Sequence, residues 1–257
     1  MTQVVKSAQR VMEIFEFFAE HRAHSSVNDV CRALGYPQSS TSMLLHSLVN
    51  LGYLTYHRES RTFYPTLRIA GLVHWLLEEE WDEHSPLEIM RELSNRTGHS
   101  VVLGLEKHIH VLYIHVIQAT NALRFYMKPG SLRPICSTAV GQALLSVKSD
   151  EDIGILVRRI NATSSGSAPP IDTRQLLEQI AETRRRGYAM TIGQATPGAA
   201  VIAKLLPIFS NHPPMAIGIG MPADEAIRNQ ESYARILGEA ISAGLRRPVF
   251  QNMLGAD

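Results

Sequence analysis

The sequence predicts an α+β protein in two parts, a small winged helix-turn-helix domain followed by a larger domain of helices and strands. Residues 1–66 show three helical patterns and then two short runs of strand formers, which is the order of a winged helix-turn-helix. Residues 85–257 mix amphipathic helices with strand patterns, as in a sheet with helices on one side or both. With 257 residues, 45% of them hydrophobic, the chain can form both cores.

The three N-terminal helices have separate start and end signals. Apolar residues at spacings of three and four predict a helix over 4–21. A capping box, Ser26 with Asp29 three residues later, predicts the start of a second helix, and Gly35 predicts its end. After a short turn, leucines at helical spacing predict a third helix that ends near Asn50.

A two-stranded wing and a long helix follow. Strand formers at 53–56 and 62–64, joined by a turn, predict the wing. Residues 67–84 contain an amphipathic helix whose apolar side is wider than a small domain needs. We expect this helix to connect the domains and to dimerise the protein through Trp75 and Trp81. The alternative, a helix packed only on its own winged domain, stays open.

The second domain opens with a helix that starts at Ser85 and Pro86 and ends near Gly98. Alternation over 100–117 predicts a hairpin in a half-buried antiparallel sheet. The remaining patterns predict helices at 139–147, 172–186 and 231–245, strands at 188–193, 199–209 and 214–222, and a flexible loop at 161–170.

Charge and cysteine usage limit the possible functions. The formal net charge is +1, so any nucleic-acid site must be local. Cys31 and Cys136 lie far apart in apolar sequence, which favours reduced thiols and the cytoplasm. We expect no membrane partner, because the N-terminus lacks the apolar run of a secretory signal and no apolar stretch reaches about 20 residues.

The sequence contains no motif that predicts a catalytic site or a metal site. The sequence has no GxSxG, no P-loop and no GxGxxG that opens a helix after a strand, so we expect no catalytic residues and no cofactor. His108 and His110 lie two residues apart on a predicted strand, so both could point the same way and bind a metal with His99 or His115, but no cysteine or carboxylate cluster stands at ligand spacing. We expect surface histidines instead. Cys136 has no partner residue placed by any motif and favours packing.

Four stretches of the sequence resemble the IclR family of bacterial transcription regulators. The resemblance covers nearly the whole chain. It implies an N-terminal winged helix that binds a double-stranded DNA operator, a C-terminal GAF-like (profilin-like) effector domain that binds a small metabolite, and assembly as a homodimer, possibly a dimer of dimers. The stretches are VVKSAQRVMEIFEFFAE, GYPQSSTSMLLHSLVNLGYL, RPICSTAVGQALLS and IAETRRRGYAMTIGQATPGAAVIA.

The resemblance places the third helix in the DNA major groove. Hydroxyl and amide side chains at its first turn can contact phosphates and base edges, and its N-terminal amides can bind a phosphate. The alternatives are ordinary helix caps and, for the wing arginines, solvated turn charges. The expected DNA contacts are Ser26, Gln38, Ser39, Ser40, Thr41, Ser42, Arg58 and Arg61.

The third helix departs from the family pattern in its charge. The family usually has a lysine at the helix start and an arginine within it, whereas this chain has Gln38 and Met43. No lysine or arginine occurs between Arg32 and Arg58, so phosphate attraction must come from residues around the rim, Lys6, Arg10, Arg58 and Arg61. We therefore expect modest affinity per monomer, a shallow salt dependence and reliance on avidity.

The resemblance also implies an effector pocket. Relatives that bind small oxyacids have an aspartate, a cysteine and two serines where this chain has Thr191, Val201, Gly218 and Gly220. These changes remove hydrogen-bonding groups and make the pocket larger. We therefore expect an aromatic or otherwise apolar carboxylate larger than a two-carbon oxyacid, or a pocket that has lost its ligand. Polar anchoring would fall to a few side chains and backbone amides. The expected residues are Thr138, Ala139, Val140, Thr191, Gln194, Val201, Gly218 and Gly220.

A second interpretation remains open from the sequence. The uncharged third helix also fits a small-molecule-binding or catalytic α+β protein whose winged helix contacts another protein instead of DNA.

Overall fold

The computed structural model forms two units, Met1–Asp82 and Glu83–Asp257, each with its own hydrophobic core. The expected N-cap Ser85 and the expected dimer anchor Trp81 lie outside the described residues, as does the side chain of Trp75. The structure describes residues 5–78, 86–119, 127–163, 169–194, 196–207 and 213–245.

The first unit confirms the predicted winged helix-turn-helix. Its core lies between the three N-terminal helices and the wing, where Leu45 and Phe63 are fully buried. The wing is an antiparallel pair. The elements are α1 (Lys6–His21), α2 (Val27–Leu34), α3 (Gln38–Asn50), β1 (Leu54–His57), β2 (Thr62–Pro65) and α4 (Arg68–Glu78).

The start of α2 is fixed by the predicted capping box. The Ser26 amide donates to the Asp29 carboxylate at 2.9 Å, and the Asp29 amide donates to the Ser26 hydroxyl at 3.3 Å. The Ser26 hydroxyl also donates to Asp29, and this hydrogen bond lowers the pKa of the Asp29 carboxyl. Gly35, at φ +69°, ends the helix in the left-handed conformation that glycine adopts readily.

The second unit is a six-stranded sheet with helices. Its strand order is β5-β4-β3-β8-β7-β6, antiparallel at every pairing. The elements are α5 (Pro86–Thr97), β3 (Ser100–Lys107), β4 (His110–Ile117), β5 (Leu132–Pro134), α6 (Ala139–Leu145), α7 (Asp150–Thr163), α8 (Thr173–Arg186), β6 (Ala189–Ile192), β7 (Ala199–Leu205), β8 (Met215–Pro222) and α9 (Ala223–Leu245).

Helices cover the sheet on both faces. α6 packs on the central strands and against α8, whereas α5 and α9 pack against each other and on the sheet. The first five residues of β3, Ser100 to Gly104, are all buried. The prediction of a half-buried hairpin is therefore wrong for β3, because this strand lies centrally between two helical layers.

Three further predictions need correction. β5 and α7 were not predicted from the sequence, although the Asp152 amide donates to the Ser149 hydroxyl at 3.1 Å as at a capped helix start. The loop predicted from residue 161 begins later, because α7 continues to Thr163. α9 begins before the predicted residue 231, and a non-helical Asn229 separates its first two turns from the rest.

No helix within the described ranges combines the length and the apolar character needed to cross a membrane.

Candidate functional site

One face of α3 is exposed and uncharged. Met43 lies on this face with 66% of its surface accessible. Periodicity brings the exposed positions to one side of the helix, while Leu45 and Leu48 point into the core. The exposed side chains are Gln38, Ser39, Met43, His46, Ser47 and Asn50.

The turn before α3 is held by contacts to the first two helices. The Tyr36 phenol donates to the Glu13 carboxylate, and the Arg10 guanidinium lies 4.8 Å from the centre of the Tyr36 ring. The Gln38 amide donates to the side-chain oxygen of Asn28 at 3.3 Å. These contacts fix the first turn of α3 relative to α1 and α2.

The first-turn hydroxyls of α3 do not all face solvent. Ser40 and Thr41 both donate to the Pro37 carbonyl at 3.0 Å, and Thr41 is completely buried. Thr41 is therefore removed from the expected DNA contacts, because a side chain with no accessible surface cannot reach a base. Ser39 is exposed and Ser42 is half-buried, so both keep the access that a contact needs.

Two arginines project from the wing turn. Arg58 and Arg61 are exposed, and neither forms an ion pair with any residue that the structure describes. Arg61 has a φ of +53°, in the left-handed region that tight hairpins require. Both guanidinium groups are free to contact phosphates.

A cavity of about 100 Å³ opens in the second unit, on the sheet face that α6 covers. Four of its lining residues, Thr191, Gln194, Val201 and Gly220, were predicted from the sequence. The other lining residues were not predicted, because several of them lie on β4, on β5 or in the segment before β5, far along the chain from the predicted ones. These are Tyr113, Met127, Arg133, Gly193, Thr196, Ala199 and Ala200.

The other predicted effector residues do not line this cavity. Thr138 is buried as the N-cap of α6, where its hydroxyl accepts from the Gly141 amide at 3.2 Å and donates to the Pro134 carbonyl at 3.0 Å. The Ala139 amide donates to the Thr191 hydroxyl at 3.2 Å, so this amide is unavailable to a ligand. Thr138 and Ala139 are therefore structural groups of the α6 start.

Neighbouring side chains fill the space beside the two β8 glycines. A Cβ on Gly218 would lie 3.0 Å from side-chain atoms of both Val140 and Val201, so Gly218 and Val140 face each other in the core. A Cβ on Gly220 would lie 3.2 Å from the terminal carbon of Met127. The expectation of freed volume is wrong here, and about 100 Å³ is less than the roughly 150 Å³ that holds benzene in a protein interior.

The polar groups of the cavity are mostly donors. Arg133 has no ion-pair partner in the described parts of the chain, and Tyr113 and Thr191 add a phenol and a hydroxyl. Burial raises the pKa of the Tyr113 phenol, with the nearby Arg133 acting in the opposite direction. None of the described lining residues is acidic.

The histidines do not form a metal site in the described residues, which contain no suitable group of three ligands. His99 is buried, contrary to the expectation of surface histidines. Its Nε2 lies 2.9 Å from the Glu225 carboxylate and 3.1 Å from the Tyr233 hydroxyl. This cluster attaches the start of α9 to the sheet.

Cys136 is buried in the core, where formation of the reactive thiolate is disfavoured. Burial raises the pKa of this thiol from 9.0 to about 11. In a Cys31→Ser variant we expect Cys136 to react with a thiol reagent at pH 8 far more slowly in the folded protein than in denaturant. Because the folded thiol keeps its proton longer, its contribution to stability is present below pH 9 and is lost as pH rises to about 11. Rapid labelling of the folded variant at pH 8 would contradict this assignment.

Two sequence models of known families match the chain. The model described as "Bacterial transcriptional regulator IclR C-terminal" matches residues 83–246, and the "IclR helix-turn-helix domain" matches residues 7–58. The HTH-type transcriptional regulator XynR of Escherichia coli is 22% identical over 251 residues, which cover 95% of this chain and 99% of XynR. The Escherichia coli regulator KdgR is 25% identical over 217 residues, 84% of this chain and 81% of KdgR.

Solved structures share the fold. The Thermotoga maritima IclR structure aligns with a TM-score of 0.65 at 16% identity, over 93% of this chain and 97% of that chain. A transcriptional regulator from Alicyclobacillus acidocaldarius aligns with a TM-score of 0.60 at 17% identity, over 95% of this chain and 97% of that chain.

Proposed function

Because this chain belongs to the IclR family of bacterial transcriptional regulators, we propose that it binds a DNA operator through the exposed face of α3 and that a small organic metabolite in the cavity modulates this binding. The family makes it a DNA-binding regulator and not an enzyme. In this proposal residues 1–66 bind DNA, 67–84 connect and dimerise, and 85–257 bind the effector. We place its action in the cytoplasm.

The uncharged, exposed face of α3 is the observation that supports operator reading best. The Gln38 amide can pair with adenine, and the Ser39 and Ser42 hydroxyls can contact base edges or phosphates. Met43 is exposed and apolar, which suits contact with a thymine methyl group. No side-chain cap covers the first turn of α3, so its amides remain available to a phosphate.

Few cations support these contacts, so we propose that assembly supplies the missing affinity. A homodimer, or a dimer of dimers, places two reading helices on half-sites about one DNA turn apart. The second contact is then intramolecular, and avidity compensates for weak binding by each monomer.

Selection of genomic fragments by the full-length protein at moderate salt tests operator binding. We expect enrichment of an intergenic palindrome, followed by saturable binding in a titration of that fragment. Enrichment without any shared sequence would contradict specific reading by α3.

The wing arginines are expected to set the salt dependence of binding. An Arg58→Ala, Arg61→Ala double variant should bind the operator about tenfold more weakly at low salt, because two phosphate contacts are lost. The slope of log affinity against log salt should shrink by about 2. Fluorescence anisotropy at several salt concentrations measures both quantities.

Arg174→Ala is a suitable control for this experiment. Arg174 is an exposed arginine on α8 of the second unit. Its replacement removes one positive charge, as each wing substitution does, but leaves the wing unchanged. An unchanged slope in the double variant, or an equal loss in the control, would contradict wing contacts with phosphate.

We propose an aromatic or otherwise apolar carboxylate as the effector. The apolar lining of Met127, Ala200 and Val201 supports an apolar body. An aromatic ring needs more than the present volume, and Met127 can provide it, because its unbranched side chain rotates about three bonds. Benzoate and 3-methylbutanoate should alter operator affinity and raise the unfolding temperature more than glyoxylate or pyruvate. Tight binding of glyoxylate alone would overturn this part of the proposal.

A further inference from the structure

Arg133 is placed by the sheet on the face where the cavity lies. It belongs to the short edge strand β5 and pairs with Val111 of β4. Cross-strand partners point to the same face of a sheet, and Val111 is fully buried in the core that α6 covers. The next strand residues on either side, Leu132 and Pro134, are exposed. Arg133 is therefore the one β5 residue whose side chain is directed inward.

The Arg133 guanidinium lacks a carboxylate partner in the described parts of the chain, unlike several other arginines of this unit. Arg96 pairs with Glu239 at 2.7 Å, and Arg184 pairs with Asp150 at 2.7 Å. A partly buried guanidinium without an anion loses hydration and gains no compensating ion pair. Such a group favours an anion supplied by a ligand.

Two buried neutral donors accompany Arg133 in the cavity lining. The Tyr113 phenol is 4% exposed, and its hydroxyl forms no hydrogen bond with a described residue. The Thr191 hydroxyl accepts a hydrogen bond from the Ala139 amide at 3.2 Å, so the hydroxyl proton of Thr191 can be donated to a different acceptor. Arg133, these two buried hydroxyls and the exposed side chains of Gln194 and Thr196 therefore line the described wall of the cavity, and no acidic side chain does.

We propose that Arg133 binds the carboxylate of the effector, with the Tyr113 phenol and the Thr191 hydroxyl donating to the same group. This inference rests on the proposed function of the cavity as the effector site. Arg133 forms charge-assisted hydrogen bonds to the carboxylate, and the apolar body of the ligand contacts Met127 and Val201.

A carboxylate suits this donor set better than a phosphate. A phosphate monoester carries close to two negative charges and three acceptor oxygens. One guanidinium and two buried neutral donors match a single charge on two oxygens. The volume of about 100 Å³ also favours the smaller group.

Binding of matched acids and amides by the full-length protein tests Arg133 directly. The panel pairs propionate, 3-methylbutanoate and benzoate with propionamide, 3-methylbutanamide and benzamide, and calorimetry measures each affinity. At least one acid should bind about tenfold more tightly than its amide. Arg133→Gln should remove that preference and leave the amide affinity within about threefold, while Arg133→Lys should keep part of it.

Arg174→Gln is the matched control, because this exposed arginine lies on α8 away from the cavity lining. It should leave every affinity unchanged, and thermal unfolding of all variants checks that they fold. A panel in which no acid binds more tightly than its amide would overturn the proposed role of Arg133. An Arg133→Gln variant that keeps the preference for the acid would overturn it as well. Operator binding by the same protein is measured separately, so failure of the anchor is distinguishable from failure of the regulator proposal.

Discussion

Replacing Gly141 with alanine is expected to destabilise the second unit by about 3 kcal/mol or more. A Cβ at this position would lie 1.9 Å from the Ile135 carbonyl oxygen and 2.7 Å from its carbon. These are backbone atoms, so no side chain can rotate to relieve the overlap. The start of α6 cannot retreat easily either, because the Gly141 amide donates to Thr138 and the Gln142 side chain donates to the Cys136 carbonyl.

Gly154→Ala provides a matched control for Gly141→Ala. Gly154 also lies within a helix, but a Cβ there would meet only the terminal nitrogen of Arg158, at 3.5 Å. Alanine at this position should be neutral or stabilising by up to about 1 kcal/mol, because glycine is a poor helix former. Denaturant unfolding measures both variants, and equal stability of the two would contradict the close approach of α6 to Ile135.

Replacing Phe63 with alanine is expected to destabilise the winged unit by about 3–5 kcal/mol. Phe63 is fully buried, and its ring contacts those of Tyr56 and His46. Its backbone also pairs with Ser25, with hydrogen bonds of 3.1 and 2.8 Å between the two residues. Loss of this ring leaves a cavity beneath both the wing and α3, so operator binding should be lost.

The Phe63→Ala variant separates operator binding from ligand binding. The second unit has a core of its own, so ligand-induced stabilisation should persist when operator binding is lost. Tyr64→Ala is the control, because Tyr64 is the next residue on β2 and is 38% exposed. It should cost about 1 kcal/mol or less. Full operator binding by Phe63→Ala would contradict a reading surface that depends on this core.

The winged unit could be predicted in detail because its signals are local. The capping box of Ser26, the ending glycine Gly35 and the leucine spacing of α3 each act within a few residues. Burial within the reading helix was harder to predict. Thr41 has the same polar character as its neighbours, and only the packing of α3 directs it inward to the Pro37 carbonyl.

The residues that line the cavity could be predicted only in part from the sequence. Of the residues carried over by resemblance from β6, β7 and β8, Thr191, Val201 and Gly220 line it, and their role in effector binding stays a prediction. Arg133 and Met127 were missed, because strand pairing and packing across the sheet bring them there. A short edge strand such as β5, only three residues long, leaves almost no periodic pattern in the sequence.

The absence of lysine and arginine from α3 has a consequence on the scale of the chromosome. Non-operator DNA competes for a regulator almost entirely through phosphate attraction, and it outnumbers the operator by millions of sites. A neutral α3 weakens binding to non-operator DNA more than it weakens base contacts. Fewer copies of the protein are therefore bound at non-operator sites. For the proposed regulator, a small number of molecules would then suffice to occupy the operator, and the occupied fraction would follow the effector concentration because few molecules are bound elsewhere.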